Sequence, residues 1–150
     1  MSQESQSPRR RNPYAMFGVD DTATAWLSYE DDEGQEAFAI EICRAGSTNP
    51  AYLKALDRRS RALANAAGKA RRRKEPTIAE SNAVLVQVFA DVVVKSWRGV
   101  TDRQGNAMPF NRENVVKLFT DLPDLFQDVL DKAQGIDIFQ ARGDEADAKN

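Results

Sequence analysis

The longest apolar stretch of the chain is bounded by polar signals on both sides. From Pro76 it reads PTIAESNAVLVQVFADVVVKSW and then stops at RGVTDRQGNAMPFNREN. Thr77 and Glu80 stand at the T-x-x-E spacing of a capping box, in which each side chain satisfies a free backbone N–H of the first turn. A helix is therefore expected to start near Thr77. Beyond it, Ile78, Val84, Leu85, Val86, Val88, Phe89, Val92, Val93, Val94 and Trp97 leave only Glu80, Gln87, Asp91 and Lys95 to face water. A helix apolar around most of its circumference belongs at the centre of a fold. The valines also favour strand, so a pair of strands is the rival, but about twenty residues without a turn signal exceed an ordinary strand. The pattern thus predicts one central helix running to Trp97. Gly99 and Gly105 then break the chain around Asp102, and Asn111 is placed to cap another helix.

The remaining patterns surround that helix. Ala25, Leu27 and Tyr29 alternate with Thr24, Trp26 and Ser28, and Phe38, Ile40 and Ile42 alternate with Ala39, Glu41 and Cys43. With turn chemistry at Asp32 to Gly34 between them, the two runs predict a β-hairpin. A lone hairpin is marginal in water, so its apolar face is expected to lie on the helices or on another subunit's strands. Asn49 and Pro50 supply an N-cap and a first helical residue. From there Leu53, Leu56, Ser60, Leu63, Ala67 and Ala70 form a narrow stripe, opposite Lys54, Arg58, Arg59, Arg61 and Lys69. The helix runs on into Arg71, Arg72, Arg73 and Lys74 before Pro76. Asn111 to Thr120 carries Val115, Val116, Leu118 and Phe119. Asp121 to Lys132 carries Leu125, Phe126, Val129 and Leu130 and ends at Gly135. Ile136, Ile138 and Phe139 return to the core.

The fold class this predicts is mostly α with a small β part (α+β): an N-terminal β-hairpin packed on a bundle of about four helices around the central apolar one. At 150 residues one core is expected rather than two. That core is placed at 22–140, with polar tails at 1–21 and 141–150 that carry no periodicity.

Net charge is only −2, but its distribution is uneven. Residues 1–49 sum to −5, residues 50–75 to +7 and residues 76–150 to −4. Arg58, Arg59, Arg71, Arg72 and Arg73 therefore stand as the candidate partner-binding residues, a docking face for an acidic partner or for nucleic acid. The bland alternative is a solvated helix whose cations suit its C-terminal dipole. Trp97 is expected to anchor the Gly99 to Phe110 loop against the central helix, with Phe110 completing the same cluster; the alternative is a partner hot spot.

Cys43 is the only cysteine and histidine is absent. An internal disulfide is ruled out, and so are the nucleophile–base pairs and zinc sites that need His or several Cys. No enzyme, metal or cofactor is expected. The acidic run from Glu30 to Glu33 lacks the alternating ligand spacing of an EF-hand. With Gln87 and Asp91 interrupting the apolar run and no h-region at the start, neither a membrane span nor a signal peptide is expected, which points to the cytoplasm.

The order of segments is itself informative. A hairpin ends in R-A-G-x-x-N-P-x-Y (Arg44 to Tyr52) and is followed by a basic helix and a long apolar one. Then come W-x-G-V-x-D-x-x-G (Trp97 to Gly105), P-F-x-x-E-N (Pro109 to Asn114), the helix start Leu122-Pro123-Asp124-Leu125-Phe126 and a late Phe139. Over roughly residues 22–140 this resembles the tail assembly chaperones of long-tailed, siphovirus-like bacteriophages or prophages. Such a resemblance implies a non-enzymatic assembly factor of the host cytoplasm, absent from the mature virion. Its partners would be the tape measure protein, whose long helices it keeps soluble, and the tail tube (major tail) protein. Self-association and a longer form of the chain made by programmed frameshifting are also implied. Two other classes compete with it: a nucleic-acid-binding regulator using the basic helix at 50–74, and a structural tail connector or terminator. Against the first stand the net negative charge, the lack of a helix-turn-helix and the few aromatics near the basic run.

Overall fold

The alternating runs pair as expected, and the turn between them shows why. In the computed structural model, which describes residues 12–20, 23–70 and 75–140 (without the side chains of 67–70), β1 (Thr24–Glu30) lies antiparallel to β2 (Glu36–Cys43). Asp31 accepts through Oδ1 from the backbone N–H groups of Glu33 and Gln35, at 2.9 and 3.0 Å, and Gly34 takes a φ of 81°. An aspartate bonding its own backbone, with glycine three residues on, fixes a tight reversal. The chain repeats the device at Asp102, which accepts from Gln104 and Asn106 at 2.9 Å each, with Gly105 at φ 85°.

After β2 the chain turns into a long helix through one buried side chain. Asn49 accepts through Oδ1 from Ala51 and Tyr52 N–H and donates through Nδ2 to the Arg44 carbonyl at 2.7 Å. It therefore caps α2 (Pro50–Ala70) while fastening that cap to the end of the hairpin. Arg44 itself donates to the Gly135 and Gln134 carbonyls, at 3.2 and 3.4 Å, so it closes the far end of the fold's last long helix. The buried stripe of α2 is offset by one position from the pattern read in the sequence: Tyr52 and Ala55 are buried, whereas Leu53 is 43% exposed.

The central apolar segment departs from the single helix expected of it. The capping box at Thr77 and Glu80 is present and starts α3, but α3 spans only Ile78–Val88. A π-helical turn, Phe89–Val93, follows, in which Val94 N–H donates to the Phe89 carbonyl five residues back. The chain then becomes β3 (Val94–Arg98), antiparallel to β2, with Ile42 opposite Val94 and Ile40 opposite Trp97. The sheet order is β1-β2-β3. No Gly or Pro marks the change. Pairing with β2 decides it, and the branched Val92, Val93 and Val94 tolerate the extended form.

α4 (Arg112–Asp121), capped by Asn111, and α5 (Pro123–Gln134) complete the helical layer, and a 3-10 turn, Asp137–Phe139, returns to the core. Phe89 sits at the centre, edge-on to Tyr52 at 6.3 Å and to Phe126 at 5.2 Å, with Phe119 5.2 Å from Phe126. Val88, Val93, Val115, Val129, Ile40 and Ile42 fill the space around these rings. The fold is thus α+β and mostly helical, with the helices on one face of a three-stranded sheet. One further difference concerns the expected N-terminal tail at 1–21. Within it, Asn12 caps a short helix, α1 (Pro13–Phe17), and Val19 forms an antiparallel bridge with Gln140. The tail expected at 141–150 lies outside the described residues.

Candidate partner-binding surface

Two surface features bear on binding, and both are built by α2 and the segment that follows it. The first is an arginine cluster around Asp91. Sequence periodicity places Asp91 toward water, yet its side chain is only 12% exposed, because the π turn aims it at α2 and the start of α4. Arg59 grips it with two bonds of 3.0 and 3.1 Å, Arg112 donates to it at 2.7 Å, and Arg58 stands 3.8 Å away. Arg112 also donates to the Gln87 side chain. Partial burial opposes ionisation of Asp91, but the bonds from Arg112 and Arg59 outweigh it and hold the carboxyl below its ordinary range. Three guanidinium groups against one carboxylate leave the patch net positive.

Of the arginines singled out in the sequence, the structure therefore divides two by role. Arg59 is committed to an internal pair, whereas Arg58 is 66% exposed and reaches Asp91 only at 3.8 Å. Arg71, Arg72 and Arg73 lie outside the described residues. Sequence reasoning missed Asp91 and Arg112. The one available signal was a carboxylate amid Phe89, Val92 and Val93, since a buried acid is kept only when paired.

The second feature is a groove. The first two turns of α2 and the last turn of α3 pack into the core, but the rest of each helix is mostly exposed, and the two lie side by side. Between them Leu56, Leu63, Ala64, Val84 and Leu85, with Ser60, Ser81 and Pro76, line an open, mainly apolar groove of about 400 Å³. Ile78, two residues after Pro76, is 81% exposed. Among the described residues nothing covers this apolar surface.

Trp97 is a core anchor. Its ring is buried edge-on to Phe110 at 5.5 Å, and its Nε1 donates to the Met108 carbonyl at 2.9 Å across the Gly99 to Phe110 loop. Phe110 covers the outer side of that ring and stays 39% exposed. Tyr52 is likewise core. The W-x-G-V and P-F-x-x-E-N blocks thus do structural work: Asn111 caps α4 through the Asn114 N–H, and Asn114 donates back to the Pro109 carbonyl at 2.7 Å. The carboxylate of Asp31, in the acidic run, is occupied by its own turn.

Residues 47–150 match the family described as YdaY prophage protein, and the chain belongs to that family. It is of prophage type. The match takes in the arginine cluster, the groove and the Trp97 loop, and begins after the hairpin. Comparison with curated proteins and with solved structures gives no match. Among the described residues, no helix is long and apolar enough to cross a membrane, and no group of three or more His, Cys, Asp or Glu is placed to hold a metal ion.

Proposed function

We propose that this prophage protein is a tail assembly chaperone, which binds helical segments of the tape measure protein, keeps them soluble and brings tail tube subunits to them. The observation that carries the reading is the apolar groove between α2 and α3, open among the described residues. An amphipathic helix laid in such a groove buries its apolar face at i, i+3, i+4 and i+7 positions. Arg58 and Arg59 lie between Leu56 and Ser60 in sequence, so the groove runs beside a net positive patch suited to acidic side chains on the same partner. The order of sequence blocks, from Arg44-Ala45-Gly46 to Leu122-Pro123-Asp124, supports the same reading, as does membership of a prophage family.

In this reading the chain works by binding, without catalysis or a cofactor, in the host cytoplasm, and leaves before the virion is complete. The nucleic-acid alternative is weakened by Asp91, which takes up Arg59 and Arg112 and leaves Arg58 as the most exposed cation of the cluster. The test is co-expression with the tape measure protein. The partner should stay in the soluble fraction with the wild-type chain and pellet with Leu63→Asp or Val84→Asp, both in the groove. Equal pelleting with and without the wild-type chain would overturn the proposal.

A further inference from the structure

The two outer strands of the sheet are protected to very different degrees. β3 is short, five residues, and carries Lys95 and Arg98; an irregularity in its pairing with β2 falls at Glu41/Ile42. Each of these is a device by which proteins discourage a second chain from adding to a sheet edge. β1 has fewer of them, although the 3-10 turn Asp137–Phe139 lies close to it. Its seven residues, TAWLSYE, contain no Pro, Lys or Arg and no inward charge, and its one irregularity lies at the far end, between Tyr29 and Glu30. Among the described residues no backbone hydrogen bond crosses the outer edge of β1. The outward side chains are Thr24, Trp26, Ser28 and Glu30, and Trp26 is 42% exposed although Arg98 stacks over its ring at 4.5 Å.

We propose that β1 pairs antiparallel with β1 of a second copy of this chain, about a two-fold axis at Leu27, to give one continuous six-stranded sheet. The occupant is argued from self-complementarity. Glu30 is the only charge on the strand, and it sits at one end. Antiparallel pairing about Leu27 sets each Glu30 against Thr24 of the other copy, whereas parallel pairing would oppose the two carboxylates. The same register places Trp26 opposite Ser28 of the second copy and diagonal to the second Trp26. Diagonal neighbours stand roughly 7–8 Å apart, within reach of aromatic side chains. The exposed indoles would then cover one another on the outer face. Such an interface is isologous and closes at two copies, so it leaves no growing end. It also leaves the α2–α3 groove free, and so stands independently of the helix-binding reading.

The full chain should therefore sediment as a dimer that dissociates on dilution. Thr24→Glu sets a carboxylate of each copy directly against Glu30 of the other, a like-charge pair that arises only in this register. It should weaken dimerisation on the order of tenfold or more while leaving the circular dichroism of the monomer native. Trp26→Ser is the second variant, since it removes the exposed ring without adding charge, and it should weaken the dimer in the same direction. A wild-type chain that is monomeric at every concentration would overturn the proposal, as would a dimer insensitive to both changes. So would β1 amides that gain protection from hydrogen exchange only when the tape measure protein is added, since that outcome puts a partner's strand on the edge.

Discussion

The hydroxyl of Tyr29 donates to the carboxylate of Asp128 over 2.6 Å and so ties the first strand to the last long helix, 99 residues further along the chain. Phe38 stacks on the same ring at 4.8 Å, and Lys132 lies over it at 5.3 Å while bonding Asp128 at 2.9 Å. Burial, and then the bond to Asp128, push the Tyr29 hydroxyl well above its usual value. The bond from Tyr29, with that from Lys132, holds Asp128 below its own. The pair acts as a pH-limited fastener of β1 to α5.

The two shifts have opposite signs on the pH axis. Folding favours the neutral tyrosine, so its contribution is complete below about pH 10, the value of an unperturbed tyrosine, and is lost as pH rises above it. Folding favours the ionised Asp128, so that contribution is complete above about pH 4 and is lost as pH falls. Tyr29→Phe should cost about 1–2 kcal/mol near neutrality and flatten the alkaline decline of the melting temperature. Melts from neutral to alkaline pH check it, and an unchanged alkaline limb would count against the pairing.

Arg58 and Arg59 are adjacent but should respond oppositely. Arg59→Ala breaks a two-bond grip on a mostly buried carboxylate and should cost about 1–3 kcal/mol. Arg58→Glu, at an exposed position, should move the melt by no more than about 1 kcal/mol yet weaken binding of the tape measure protein. Wild-type binding should also fall with added salt, because exposed charges are screened over about 8 Å at physiological ionic strength. Thermal melts and a salt-titrated pull-down separate the two residues.

Trp97→Ala should open a cavity beneath the Gly99 to Phe110 loop and cost about 3–5 kcal/mol. Set against the 5–15 kcal/mol that roughly spans whole-domain stabilities, that loss should leave the variant molten or insoluble. Phe110→Ala should cost distinctly less, since Phe110 keeps one side in solvent. Denaturant melts of the pair would refute the anchor role if the order were reversed.

Gly99 and Gly105 both have positive φ, yet replacing them should not be equivalent. A Cβ on Gly99 would stand 2.7 Å from the Ala37 carbonyl oxygen of the neighbouring strand, whereas one on Gly105 meets nothing within 4 Å. Gly105→Ala should therefore show only the left-handed backbone cost, about 1–2 kcal/mol. Gly99→Ala should exceed it and loosen the β2–β3 pairing, as amide exchange at Trp97 and Arg98 would report.

Local chemistry is legible in the sequence. Asn49, Thr77 with Glu80 and Asn111 cap the helices they were expected to cap, and the alternation at Thr24 to Cys43 forms the hairpin. Each of these signals acts within a few residues of itself. What escaped depends on distant partners. The run from Val84 to Trp97 is apolar on every side, so its periodicity cannot tell a helix from a helix that becomes a strand, and β2 makes the choice. Asp91 meets Arg59 and Arg112 from positions 32 and 21 residues away, a convergence that no spacing rule encodes. The offset stripe of α2 has a similar cause: Tyr52 is drawn inward by Phe89, leaving Leu53 outside.

The bridge between Val19 and Gln140 sets the two ends of the described fold side by side and antiparallel. A pulling force applied at those two points would act first on this bridge and on the bond from the Gln140 side chain to the Met16 carbonyl, so the molecule would peel open from that end instead of resisting in shear. The first piece to come away would be the 3-10 turn with Phe139, after which the load would fall on β1 and on its fastening to Asp128. The fold is in this sense mechanically soft at its ends, and the bonds from Arg44 to the Gly135 and Gln134 carbonyls are the next stop on the C-terminal side of that line of force.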